Sequence, residues 1–175
     1  MHVYRLSSAL ALTALVAAAA CSDNTSPALT SFYANMDATQ IVATAPVVSS
    51  ATGQGTIDNF TGAAPPAVKV TYTGLTPTRI ALMSGAGTVN GTVLADVCGG
   101  AAAACGASGA TYNAVLNGTN TSQGIYNTMK GTNGGTYLTV FTAAHPASAP
   151  NATTGVVTGG EIRGAILYTP ASTTP

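Results

Sequence analysis

A chain of 175 residues with 46% hydrophobic and only 6% charged side chains carries enough apolar matter for one cored domain and is too apolar for plain disorder. Five bases balance five acids, so no basic patch exists to displace phosphate counterions, which excludes nucleic acid as a partner. The abundance of Gly and Thr points to strands and turns rather than helices.

The chain opens as an address. In MHVYRLSSALALTALVAAAAC, Arg5 gives a positive start, Leu6 to Val16 an apolar stretch, and Ala17 to Ala20 the small residues a signal peptidase requires. Residues 1–20 are therefore expected to be a signal peptide, and the apolar run is short for a membrane-spanning helix. Loss of Arg5 with this segment leaves four bases against five acids. Cys21, placed after small residues and before the polar run SDNTS, resembles the lipobox of bacterial lipoprotein precursors. Ala18 stands where that pattern usually has leucine. The resemblance implies that Cys21 is acylated and becomes the new N-terminus, a stable membrane anchor. Ser22 stands where Asp signals retention in such precursors, so the resemblance also implies an outer-membrane lipoprotein. Cleavage after an alanine without lipidation would instead give a secreted protein. Residues 21–29 read as the lipidated N-terminus and a tether.

Three cysteines are an odd count for an oxidising compartment. With Cys21 assigned to lipid, Cys98 and Cys105 remain, separated by the small, flexible run GGAAAA. A local disulfide is expected. The alternative, a metal pair, needs further ligands, and the mature chain offers only His145.

The domain is expected over residues 30–169. SFYANMDA forms a first strand, ATAPVVSSATGQG a loop, and GTIDNF a second strand. AVKVTYTGL alternates with Val68, Val70 and Tyr72 on one face, the mark of a half-buried antiparallel strand. TRIALM, GTVLADVC and ATYNAVLN follow as strands, the last with Tyr112, Ala114 and Leu116 on one side. In NTSQGIYNTMKG, Thr121 or Ser122 can cap a helix, Ile125 and Met129 lie four apart, and Gly131 occupies the expected C-terminal position. GGTYLTVFTA is a further strand, and VTGGEIRGAILY closes the domain before a tail at 170–175. The pattern predicts an all-β fold, an antiparallel Greek-key sandwich or barrel with one short helix.

Glu161 and Arg163 stand two residues apart in the last strand, on one face, framed by Gly159, Gly160 and Gly164. The glycines allow close approach of neighbouring backbone or a bulge. The two charges can pair with each other or with adjoining strands, and the Arg fork can satisfy loop carbonyls. These five residues are expected to form a structural polar clamp. The competing reading is a general acid or base with an electrostatic partner, although no nucleophile, second carboxylate or metal ligand stands beside them in the sequence.

GGEIRG, preceded by GTYLTVFTAAHP, resembles the ending of CHRD domains, the module of chordin and of many bacterial exported proteins. SFYANMDATQIVATAPVVSSATGQGTI resembles the family opening, VKVTYTGLTPTRIALMSGAGTVNGTVL its middle, and NTSQGIYNTMKGTNGGTY the short helix before the final strands. The resemblance covers about residues 31–168. The family's histidine positions hold Leu82, Ser84 and Phe141, so a metal role shared with relatives is not expected. No cofactor is expected either. The functional expectation is a non-enzymatic binding or structural role at the cell envelope. Its partners are the membrane, through the lipid, and an envelope or extracellular protein or glycan. An envelope enzyme using Glu161 and Arg163 and a metal-binding domain are the alternatives.

Overall fold

A computed structural model describes residues 31–58, 60, 62–86 and 88–169. The leader, Cys21 with its tether, and the tail lie outside the described residues. The described residues form an antiparallel, nearly closed barrel with one short α-helix. Its strands are β1 (Ser31–Asp37), β2 (Thr52–Ile57), β3 (Ala67–Thr73), β4 (Pro77–Ser84), β5 (Val93–Cys98), β6 (Thr111–Asn113), β7 (Val115–Leu116), β8 (Thr136–Thr142), β9 (Ile162–Ala165) and β10 (Leu167–Thr169). Helix α1 spans Ser122–Gly131.

The sheet order is β6-β3-β2-β1-β9-β8-β4-β5-β7, with β10 also on β1. Strands β1 to β3 form a meander, and β9 returns beside β1 by a long connection, the crossover that gives the sheet its Greek-key character. Closure comes from one stretch. ATYNAVLN, expected as a single strand, is divided at Ala114: β6 pairs with β3 and β7 with β5. The same segment thus serves both ends of the sheet, which leaves little open edge for unwanted pairing. Ala114 turns inward at the division, and its amide donates to Pro66 O at 2.9 Å.

The barrel interior is filled from alternating positions, including Phe32, Ala34, Met36, Ile57, Val68, Val70, Ile80, Leu82, Leu138, Val140 and Ile162. The second strand starts earlier than its propensities suggest, at Thr52 rather than Gly55. Gly53 and Gly55 occupy strand positions because the interior has no room there. A Cβ at Gly53 would press on Met36 and Ile162, and one at Gly55 would collide with Leu138. Thr121 caps α1 by accepting from the Gly124 amide at 3.0 Å, and Ile125, Tyr126 and Met129 turn into the core. Tyr126 meets Phe32 and Phe60 edge-on, at centroid separations of 6.1 and 5.5 Å. Gly131 ends the helix instead of following it, and Thr132 is the C-cap.

Every residue of β8 is buried. One face supplies the barrel core. The other, with Tyr137 and Phe141, joins Ala81, Met83 and Val157 in a second apolar cluster on the outside of the barrel. The segments around residues 88–92 and 143–160 form its cover: the Gly91 amide donates to Tyr137 Oη at 2.7 Å, and the Val157 amide donates to Gly91 O at 2.9 Å.

Candidate functional site

Arg163 lies under this cover. It is the largest fully buried side chain among the described residues, at 1% exposure. Register explains the position: Arg163 stands opposite Asp37 on β1 and Thr139 on β8, so it shares the outer face with Tyr137. Its Nη2 donates to Ala86 O at 2.9 Å and to Val89 O, and Nη1 donates to Asn90 Oδ1 at 3.3 Å. The guanidinium carbon lies 3.4 Å from the centroid of the Tyr137 ring, within stacking range. Arg163 Nε and Thr139 Oγ1 are buried without a hydrogen-bond partner among the described residues.

Among the described residues the one ion pair is Arg79–Asp96, so the Arg163 charge is met by carbonyl dipoles and a π face rather than by a carboxylate. Burial holds the Arg163 pKa below its ordinary value, opposed by Tyr137. Burial likewise raises that of Tyr137, opposed by the Arg163 charge and by the Gly91 hydrogen bond.

Glu161 and Arg163 do not pair with each other. Glu161 precedes β9 and accepts from Ser49 Oγ at 2.8 Å. The Ser49 hydroxyl accepts in turn from the Ala51 amide, which commits it to a turn. The connection between β1 and β2 is therefore tied down twice, through Ser49 and through Asn90 Nδ2, which donates to Val42 O at 3.0 Å. Asn90 also accepts from Arg163, so two loops meet at one amide.

The three glycines explain the framing of the motif. Gly159 and Gly160 have φ values of 101° and 106°, a region that side chains with a Cβ rarely adopt. A Cβ at Gly159 would strike Pro146 O, one at Gly160 the Thr139 methyl, and one at Gly164 would strike Asn35 O.

The pairing of Arg79 Nε with Asp96 Oδ1 at 2.6 Å escaped the sequence reading. A lone Asp in the apolar run VLADVC was its signal, because a buried carboxylate demands a partner. Asp96 Oδ2 also accepts from the Ala101 amide, holding the loop that Cys98 and Cys105 close as a disulfide. Leu82 is sealed in the core, Ser84 bonds Thr92, and Phe141 lies in the outer cluster. Among the described residues no three of His, Cys, Asp or Glu gather as a metal site, and no helix is long and apolar enough to cross a membrane. No family model, curated protein or solved structure matches the chain.

Proposed function

We propose that the chain is an exported CHRD-type β-domain, anchored to the envelope through lipid on Cys21 and serving a non-enzymatic binding or structural role there. The observation that carries this reading is how the GGEIRG motif is spent. Arg163 holds the carbonyls of the covering loop, Glu161 holds Ser49, and the glycines sit where backbone crowds in. The motif's chemistry is consumed in shaping the domain, as a clamp. Glu161 and Arg163 act as structural groups, and the exposed surface is left to make contacts.

Two experiments test the reading. Cell fractionation should place the protein with membranes and release the Cys21→Ala variant into the soluble fraction; identical fractionation of the two overturns the anchor. A hydrolase substrate panel should show no turnover that Glu161→Gln abolishes while leaving the melting temperature unchanged. Such turnover would establish the enzymatic alternative.

A further inference from the structure

Among the described residues, the barrel's outside is covered on one half and open on the other. Loops lie over β8 and β9 and bury Tyr137 and Arg163. The outer positions of β1, β2 and β3 stay largely exposed. Register lines them up: Asn35, Gln54 and Thr71 form one row, and Asp37, Thr52 and Thr73 the next.

The first row holds a hydrogen-bonded amide pair. Gln54 Nε2 donates to Asn35 Oδ1 at 3.2 Å. That bond leaves Asn35 Nδ2 as a free donor and Gln54 Oε1 as a free acceptor among the described residues. A free donor beside a free acceptor suits neighbouring hydroxyls, each of which donates and accepts. A trough of about 560 Å³ runs along these residues, with Thr52, Thr73 and Ser108 in its walls. One step along β1, the Tyr33 ring is 39% exposed on the same face and offers a flat apolar surface.

The charge on this face argues for a neutral ligand. Lys69 is the exposed cation, opposite Thr56. The Asp37 carboxylate is already engaged by Thr39 and Gln40. A polyanion would find one base, and an apolar partner would find mostly amides and hydroxyls.

We propose that the outer face of β1, β2 and β3 docks a neutral polyhydroxylated chain, an envelope glycan, hydrogen-bonded by Asn35 and Gln54 over the trough and stacked on Tyr33. This rests on the envelope-binding reading and adds its surface and ligand class.

The test uses the mature chain carrying Cys21→Ser, so that lipid does not mask binding, on an array of neutral oligosaccharides of hexoses and N-acetylhexosamines. Titration calorimetry follows with the tightest binder. Expected are binding that added salt leaves unchanged, and affinity losses of about tenfold or more in both the Asn35→Ala/Gln54→Ala double variant and Tyr33→Ala. Their melting temperatures should match the parent, because all three side chains are exposed. No binding on the array, equal affinity in the variants, or retention only by acidic polysaccharide overturns the proposal. Sedimentation with isolated envelopes separates the two levels. If parent and double variant sediment alike, the surface is wrong and the envelope role stands. If the parent binds neither envelope nor glycan, both fall.

Discussion

Replacing Arg163 with alanine removes the donors that hold Ala86 O, Val89 O and Asn90 Oδ1, and uncovers one face of the buried Tyr137 ring. A hydrogen bond to a charged donor contributes about 1.5–3 kcal/mol, and a buried acceptor left without a partner costs about 1–3 kcal/mol. Two backbone carbonyls are at stake, and partial settling of the loop recovers some of the loss. The expected destabilisation is about 3–5 kcal/mol. For a domain of this size each kcal/mol lowers the midpoint by about 2–4 °C, so Tm should fall by roughly 6–20 °C. Urea unfolding followed by circular dichroism measures the free energy. Hydrogen exchange at the Gly91 amide, which donates to Tyr137 Oη, reports whether the loop has come loose. Arg163→Lys keeps the charge but loses the planar fork, and it should recover less than half of the loss. A loss below about 1 kcal/mol for Arg163→Ala, with Gly91 still protected, would refute the reasoning.

Other substitutions probe the frame. Glu161→Gln keeps an acceptor for Ser49 Oγ and should change unfolding free energy by less than about 1 kcal/mol; a larger loss would move the clamp's centre to Glu161. Gly164→Ala drives a Cβ into Asn35 O between β1 and β9 and should cost about 2 kcal/mol or more, read as a fall in the urea midpoint. Reducing Cys98–Cys105 opens a ring of seven-residue separation and should cost about 2.5 kcal/mol, seen by comparing urea curves with and without reductant. The Asp37 carboxyl is held below its usual pKa of 3.8, first by the Thr39 hydroxyl and then by Gln40. Its contribution to stability is therefore present above that pKa and is lost as pH falls through the lowered folded value. Asp37→Asn should flatten this acid limb of the stability profile, and an unchanged limb would reject the assignment.

Much of the barrel was legible because its strands carry their own signals. AVKVTYT alternates cleanly, and β3 occupies that run. Thr121 and the Ile125–Met129 spacing marked α1. The failures share a cause, which is contact across the fold. Gly53 and Gly55 weaken the β2 signal, yet they are what packing against Met36, Ile162 and Leu138 requires. The division at Ala114 follows from closure, which no local pattern encodes. For β8, the alternation marked a strand, but its burial on both faces and the identity of the covering loop came only from the fold. At the motif, the fork of Arg163 on loop carbonyls was one of the options its chemistry allowed. The choice between that and pairing with Glu161 depends on Ala86, Val89 and Asn90, distant in sequence and brought close by the fold. Arg79 and Asp96 belong to the same class: each looks stray until β4 and β5 pair.

The most direct measurement is the intact mass of the mature protein isolated from its own cell envelope, before and after reduction and alkylation. Expected is a chain beginning at Cys21 and carrying acyl groups, with two alkylations that appear only after reduction. A lipid-free mass, or a chain beginning elsewhere, would contradict the anchored envelope role and send the search for partners to the medium.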